Sequence, residues 1–308
     1  MSAILTYLLY FLLSYLLLTL TLYLFSYIGS TTAGFFARLL ASYLALIAIT
    51  SYGVFASIFL QLVGFGRSSQ WAVGRGFAWA MGWAVGVRFT LEGKEILKGT
   101  RPAVFVGNHQ SELDVLMLGT IFPQNCAVTA KKSLKRIPFL GWFMSLSGTV
   151  FIDRTNRRTA VAAFDGAAAE MRKHRQSVFI FPEGTRSYFE KPDLLPFKKG
   201  AFHLAIQAKV PIVPVVVANY SHVMSVKRWI FRSGVIPVKV LSPIPTSHLT
   251  ADDVEDLARD THDVMLKELL KLTDKARMEA GVERETASAD GGDTAKASGV
   301  DAGRGRRM

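Results

Sequence analysis

Charged side chains are missing from the start of this 308-residue chain, and cysteine is nearly missing throughout. The single cysteine, Cys126, excludes an internal disulfide and any metal site built from several cysteines. The six histidines follow no zinc-site spacing, so the sequence predicts no metal. Acidic residues are outnumbered, 24 against 36 basic ones, and the net charge of +12 favours anionic partners. Nucleic acid is not predicted among them, because the basic residues are dispersed and form no known binding module.

The uncharged amino-terminal stretches predict two hydrophobic helices, at residues 4–28 and 39–65. Each is long enough to cross a hydrocarbon core about 30 Å thick. A signal peptide is the competing interpretation of the first run, but its amino end carries no positive charge and the run is too long. Basic residues follow the second run, so the positive-inside rule places the rest of the chain in the cytosol. A hairpin that enters only one leaflet stays open.

Tryptophan and glycine are concentrated in residues 71–87, which include Trp71, Trp79 and Trp83. Tryptophan prefers the level of the lipid head groups, so an interfacial segment is one interpretation, and a buried helix is the other. We therefore predict a membrane-anchoring region at residues 1–87 and a globular domain at residues 88–281. Residues 282–308 hold almost no large apolar side chain and are predicted to be disordered.

Short apolar runs alternate with helical patterns between residues 88 and 280, which predicts an α/β domain. The fold class is a central, mostly parallel sheet flanked by helices, in which ligands bind beyond the carboxyl ends of the strands. The predicted strands are 88–92, 103–107, 126–130, 149–152, 177–181, 212–218 and 235–241. The predicted helices are 113–121, 134–147, 157–174, 201–209 and 251–280.

The first polar turn, residues 108–114, follows a predicted strand and is called the histidine loop here. His109 can accept a proton near neutral pH, since imidazole has a reference pKa of about 6.5. Asp114 would fix the tautomer of that ring, in the manner of a general base and its orienting carboxylate, if the turn bends back far enough to bring the two side chains together. A solvated loop histidine beside a helix-start aspartate is the alternative. Backbone amides of this loop are candidate oxyanion donors.

The second polar turn, residues 182–187, also follows a predicted strand and is called the arginine turn here. Gly184 lets the backbone approach a ligand, and Arg186 can bind a phosphate through two parallel hydrogen bonds. Thr185 adds a hydroxyl, while Glu183 is placed to orient Arg186 or to accept from a substrate hydroxyl. A surface hairpin with an internal ion pair is the alternative. Arg154 follows the end of another predicted strand, and it is predicted to face the same edge of the sheet and to contact the phosphate.

A proline-bearing apolar strand follows at residues 210–215, which suits a strand start or a sheet edge because proline donates no ladder hydrogen bond. Core packing is its default role, and lining an acyl groove is the alternative. The residues concerned are Val210, Pro211, Ile212, Val213 and Pro214.

Four blocks in this order resemble the motifs of the glycerolipid acyltransferases. They are the Asn-His-Gln-Ser-x-x-Asp of the histidine loop, the pair formed by residues 135–141 and 151–154, residues 181–187, and residues 210–215. Glutamine after the histidine, where the glycerol-3-phosphate branch usually carries arginine, favours the lysophosphatidate branch. The resemblance covers about residues 89–249 together with the hydrophobic amino end.

The resemblance implies that acyl-CoA, a co-substrate rather than a bound cofactor, donates its acyl group to the sn-2 hydroxyl of lysophosphatidic acid, giving phosphatidic acid. His109 and Asp114 would be catalytic, and Glu183, Gly184, Thr185, Arg186 and Arg154 would hold the phosphate. It also implies an integral protein of the endoplasmic reticulum, with its catalytic domain facing the cytosol. Two alternatives stay open: another acceptor, such as glycerol 3-phosphate or a different lysophospholipid, and a non-enzymatic protein that binds anionic lipid.

Overall fold

The computed structural model describes residues 3–153 and 155–280, so Arg154 and the predicted disordered segment 282–308 lie outside the described residues. A seven-stranded sheet forms the centre, in the order β1-β9-β6-β2-β5-β3-β4. Its strands are β1 (Val87–Glu92), β2 (Val104–Gly107), β3 (Cys126–Lys131), β4 (Val150–Ile152), β5 (Ser177–Ile180), β6 (Ile212–Val217) and β9 (Gly234–Val240). A small hairpin, β7 (Met224–Ser225) and β8 (Ile230–Phe231), stands apart from it.

The middle of the sheet is parallel, and this arrangement decides where the two polar turns meet. Strand β2 pairs in parallel with both β5 and β6, while β5 pairs in parallel with β3. Only β9, with its parallel partner β1, runs against the others, because β9 meets β6 in antiparallel register. The carboxyl ends of β2 and β5 are therefore neighbours, and the histidine loop and the arginine turn leave the sheet side by side.

Helices cover both faces of the sheet. The core therefore consists of two apolar clusters, one on each face of the sheet. One face is covered by α3 (Ser69–Val85) and α5 (Asp114–Ile121), and the other by α7 (Arg157–His174), α8 (Gly200–Ala208) and α9 (Val254–Ala280). Two further short helices of the domain are α4 (Lys94–Gly99) and α6 (Leu140–Leu146). The predicted fold class, a mostly parallel sheet flanked by helices, is confirmed.

Two local predictions are wrong. The helix predicted at residues 134–147 is split into a 3₁₀ turn, Lys132–Arg136, and α6. The backbone between them turns sharply at Phe139 (φ 60°, ψ −56°), where the amide of Leu140 donates to the carbonyl of Pro138 at 2.6 Å. Of the two positions predicted for the proline-bearing run, the strand start is confirmed, since Pro211 directly precedes the first residue of β6, and the sheet edge is wrong, since β6 is central. Pro214 is tolerated there because the antiparallel register with β9 begins one residue later, at Val215.

The two amino-terminal helices, α1 (Ala3–Tyr27) and α2 (Thr31–Leu62), are long and apolar enough to cross a membrane by length and composition. Helix α2 also touches the α/β domain near both of its ends. The ring of Phe35 meets Trp229 at 5.3 Å between centroids, and the side-chain amide Nε2 of Gln61 donates to the carbonyl of Leu146. Helix α2 therefore packs alongside the domain, and α1 covers α2 from the outside.

Helix α3 combines the two interpretations given to residues 71–87. Val73, Phe77 and Met81 are buried in one face, while Trp79 and Trp83 are 68% and 78% exposed on the other. The helix is thus a layer of the domain core that presents two tryptophans outward. The tryptophan rings on its exposed face are amphipathic, and such rings are enriched at the head-group level of a bilayer.

Candidate active site

The imidazole of His109 and the carboxylate of Asp114 form a direct hydrogen bond of 2.7 Å between Nδ1 and Oδ2. The chain bends back after β2, and Asp114 is the first residue of α5. The carboxylate is fully buried, whereas 16% of the histidine side chain is exposed. Because the carboxylate can only accept, Nδ1 carries the proton and Nε2 is left as a free base. This is the geometry of an oriented general base.

The carboxylate of Asp114 is held by more groups than the histidine. Its Oδ2 also accepts from the backbone amides of Gln110 at 2.6 Å and Ser111 at 3.1 Å. Its Oδ1 accepts from the hydroxyl of Tyr220 at 2.7 Å. Four donors thus fix one buried charge, and hydrogen bonds to charged groups contribute about 1.5–3 kcal/mol each. The direction of the carboxylate, and with it the ring of His109, is determined by the surrounding structure.

Tyr220 is a member of this network that the sequence did not identify. It lies just beyond the carboxyl end of β6, fully buried, and its hydroxyl also meets Ser111 Oγ at 2.9 Å. Burial, and then the charge of Asp114, raise the pKa of Tyr220 well above its usual value. The phenol of Tyr220 therefore stays protonated and donates a hydrogen bond to Asp114. The only sequence signal for Tyr220 was its position just after the end of a buried strand of the sheet, β6, at the edge where ligands were expected.

The face of the imidazole rests on the ring of Phe181, with centroids 4.1 Å apart and planes 17° from parallel. Phe181 in turn meets Phe179 edge-on at 5.3 Å. The ring of His109 is therefore held on one edge by Asp114 and on one face by an apolar wall. This clamp leaves Nε2 as its free polar atom and keeps water from one side of it.

Glu183 connects the two polar turns from behind. Its Oε1 accepts from the amide of His109 at 2.6 Å, and its Oε2 accepts from the amide of Leu195 at 3.0 Å. The residue is 2% exposed, and burial raises the pKa of Glu183 to about 7 although both hydrogen bonds act in the opposite direction. Both oxygens are already engaged, so Glu183 braces the backbone of the base and contacts neither Arg186 nor the open side of the turn.

The arginine turn is also joined to the histidine loop through the backbone. The amide of Ser187 donates to the carbonyl of His109 at 2.9 Å, and the amide of Tyr188 donates to that of Gln110 at 3.1 Å. The guanidinium of Arg186 lies beside this junction, 39% exposed, and donates to Glu112 Oε1 at 3.1 Å. The sequence placed Glu183 as its partner, whereas the structure gives that place to Glu112.

The backbone amides of the histidine loop are not free to bind an oxyanion. The amide of His109 donates to Glu183, and those of Gln110 and Ser111 donate to Asp114. The expectation that these amides stabilise an oxyanion is therefore not met at these three positions. The buried carboxylates use them to hold the loop.

Side chains of the loop also continue the sheet beyond β2. Asn108 is buried and exchanges two hydrogen bonds with the backbone of Val217, accepting at 2.8 Å and donating at 3.0 Å. The side-chain amide Nε2 of Gln110 donates to the carbonyls of Val217 at 3.1 Å and Ala218 at 3.0 Å. These bonds replace the ladder that β2 would have made with β6 and fix the position of the loop.

The remaining predicted site residues are the five of the acyl groove, Gly184 and Thr185 of the arginine turn, and Arg154. Of the five predicted groove residues, Val210 and Pro211 precede the central strand β6, and Ile212, Val213 and Pro214 begin it. Pro211 is half-buried and the other four are buried, at the end of the strand away from His109. Thr185 is exposed in the arginine turn, and Gly184 adopts a φ of 71° there. The phosphate contact predicted for Arg154 lies outside the described residues.

A family profile, two sequence relatives and one solved structure that resemble this chain are all acyltransferases. The acyltransferase family profile matches residues 88–218. The chain is 44% identical to the 1-acyl-sn-glycerol-3-phosphate acyltransferase of Saccharomyces cerevisiae, over 77% of this chain and 78% of the yeast protein. It is 42% identical to the human 1-acyl-sn-glycerol-3-phosphate acyltransferase beta, over 61% of this chain and 67% of the human one. Its fold is similar to the crystal structure of the acyltransferase PlsC from Thermotoga maritima, with a TM-score of 0.60 at 23% identity, covering 84% of this chain and 96% of that one.

Proposed function

This chain belongs to the 1-acyl-sn-glycerol-3-phosphate acyltransferase family, and we propose that it transfers an acyl group from acyl-CoA to the sn-2 hydroxyl of 1-acyl-sn-glycerol 3-phosphate. The product is phosphatidic acid. The observation that carries the proposal is the backbone junction between His109 and Ser187, 2.9 Å long, which holds a base beside a cationic turn. The acceptor carries its hydroxyl and its phosphate on adjacent carbons, so the two features match two neighbouring groups of one molecule.

In the proposed reaction, Nε2 of His109 accepts the proton of the sn-2 hydroxyl as its oxygen attacks the carbonyl carbon of the thioester. The carbon–sulfur bond then breaks, and the leaving thiolate takes the proton from Nε2. Asp114, 2.7 Å from Nδ1, stabilises the imidazolium that exists between these steps. No covalent acyl-enzyme is needed, because a thioester is already activated. Help from such a base is typically worth about 10²–10⁴-fold.

The arginine turn would bind the phosphate of the acceptor. Arg186 is exposed enough to present its remaining N–H groups, and the guanidinium fork suits a phosphate oxygen pair. Gly184 and the exposed hydroxyl of Thr185 are the other members of the site we propose. Glu183 contributes indirectly, by holding the amide of His109 at 2.6 Å.

The hydrophobic helices would keep this site at a membrane. Much of the surface of α1 is exposed and apolar, including Tyr7, Phe11 and Leu17, which suits contact with lipid. We propose a membrane-bound enzyme of the endoplasmic reticulum with its domain on the cytosolic side, as the positive-inside rule favours. Labelling of introduced cysteines from each side of sealed microsomes tests the sidedness, because the native Cys126 is buried.

Purified protein in detergent gives the decisive assay. Acyl-CoA is combined with lysophosphatidic acid, glycerol 3-phosphate or a lysophospholipid with a head group, and thiol release is followed. We expect turnover with lysophosphatidic acid and its loss in His109→Ala, while the exposed His203 on α8 supplies a control, His203→Ala, with wild-type activity. Full activity of His109→Ala excludes the proposed base. A clear preference for another acceptor corrects the proposed substrate.

A further inference from the structure

The segment that follows the arginine turn is fastened back onto it. The amide of Lys198 donates to the carbonyl of Pro182 at 2.8 Å, and the amide of Leu195 donates to the carboxylate of Glu183 at 3.0 Å. One backbone–backbone bond and one bond from a backbone amide to a buried carboxylate therefore hold residues 195–198 against the start of the turn. The side chain of Lys198 is positioned by a fixed backbone rather than by a free loop.

The side chain of Lys198 lies across Gly184. A Cβ atom added to Gly184 would stand 2.8 Å from Cδ, Cε and Nζ of Lys198, closer than real side chains approach. The glycine also has a φ of 71°, which other residues rarely adopt. Glycine is thus required here for the backbone conformation, and its missing side chain leaves space that the flexible lysine chain occupies. The ammonium group lies over the arginine turn.

The ammonium group of Lys198 differs from the neighbouring cations in having no partner among the described residues. Within residues 3–153 and 155–280, its exposed ammonium makes no ion pair and no side-chain hydrogen bond. The neighbouring Lys199 points to α9 and pairs with Glu255 at 3.0 Å, and Arg186 pairs with Glu112 at 3.1 Å. Of these three cations, Lys198 alone lies over the glycine of the turn with its donors unused.

We propose that Lys198 is a binding residue for the phosphate of the acyl acceptor and selects acceptors that carry a phosphate monoester. The inference rests on the proposed function, since it names a further member of the same site. A phosphate above Gly184 would be held between a compact ammonium and the guanidinium of Arg186. An acceptor without phosphate would leave two cations facing each other without an anion, which disfavours its binding.

The test compares Lys198→Met with Lys199→Met. Methionine keeps an unbranched apolar chain over Gly184 and leaves the backbone bond to Pro182 intact, so only the charge is removed. We expect the KM for lysophosphatidic acid to rise roughly 10- to 100-fold in Lys198→Met, the effect of losing a charge-assisted hydrogen bond, with kcat reduced much less. The KM for acyl-CoA should stay within about twofold. The rate with monoacylglycerol should not fall, because one of the two facing cations is removed. Lys199→Met should behave as wild type.

A second readout does not depend on turnover. The exposed lysines are acetylated with and without lysophosphatidic acid, and the modified positions are counted by mass spectrometry. We expect the acceptor to protect Lys198 and to leave Lys199 reactive. Unchanged KM in Lys198→Met together with equal labelling of Lys198 overturns the inference, as does a rise confined to the KM for acyl-CoA. Protection of Lys198 in a protein that does not acylate lysophosphatidic acid supports the site while refuting the proposed reaction.

Discussion

Replacing Asp114 with asparagine removes a buried charge and leaves a place for every hydrogen bond around it. Oδ2 accepts from His109 Nδ1 at 2.7 Å and from the amides of Gln110 at 2.6 Å and Ser111 at 3.1 Å. The oxygen of asparagine can take that position unchanged. Its amide group then faces the hydroxyl of Tyr220, which can turn and accept instead of donating. We therefore expect Asp114→Asn to fold normally, whereas Asp114→Ala leaves buried donors without a partner.

The expected loss of activity follows from the charge alone. Two unit charges about 4 Å apart interact by about 4 kcal/mol at an effective dielectric constant of about 20, and this is the stabilisation that the imidazolium loses. Each 1.36 kcal/mol corresponds to about a tenfold change in rate, so kcat should fall about a thousandfold. The tautomer of His109 is preserved, because the asparagine oxygen still accepts from Nδ1.

Initial rates and melting temperatures of four proteins decide the matter: the wild type, Asp114→Asn, His109→Ala and the double variant. Because the two residues act as one unit, the double variant should be no slower than His109→Ala. Multiplicative losses in the double variant would mean that Asp114 acts independently of the imidazole. A kcat above about a tenth of the wild-type value in Asp114→Asn, with an unchanged melting temperature, would refute the electrostatic role.

Three further substitutions probe the structure behind the base. Burial raises the pKa of Glu183 to about 7 from 4.5, so its contribution to stability is complete below about pH 4.5 and is lost as the pH rises through about 7. The melting temperature of the wild type relative to Glu183→Gln should therefore fall between about pH 5 and pH 8, by the equivalent of about 3 kcal/mol; a constant difference would contradict this. Tyr220→Phe should lower the free energy of unfolding by about 1.5–3 kcal/mol and reduce kcat less than Asp114→Asn does, and unchanged values in denaturant titrations and rate assays would contradict it. Asn108→Asp places an oxygen against the carbonyl of Val217, so thermal unfolding in detergent should show a loss of about 2–4 kcal/mol, and wild-type stability would disprove that contact.

The sheet was predictable because its strands are buried on both faces and appear as short apolar runs between helical patterns. All seven predicted strands are present, with ends that differ from the prediction by at most one residue. What the pattern did not reveal was the opposite direction of β1 and β9, since strand direction depends on pairing across the whole chain. Pro138 lies at the break of the predicted helix, between residues 137 and 139, and proline disrupts a helix interior. The prediction of one continuous helix did not take this residue into account.

The pairing of His109 with Asp114 was predicted for a different reason, because the spacing of the two residues allowed the contact and the resemblance to the acyltransferase motifs implied it. Tyr220 contacts the same carboxylate from the end of β6, and nothing local to either motif indicates that contact. Lys198 is likewise placed by a backbone bond to Pro182 that sequence spacing does not specify. Such partners follow from strand order, which is known only after folding.

Most of the motif residues in this site hold the backbone instead of facing a ligand. Buried amides must find acceptors, and a loop that leaves the end of a parallel strand has several without a ladder partner. Asp114 and Glu183 supply acceptors to the amides of residues 109–111, and Asn108 bonds to Val217 in place of a strand. Changes at these positions should therefore move stability and activity together. Arg186 and Lys198 differ, because their exposed side chains hold no backbone group of the described residues. Their substitution should change the KM for a phosphate-bearing acceptor while the melting temperature stays constant.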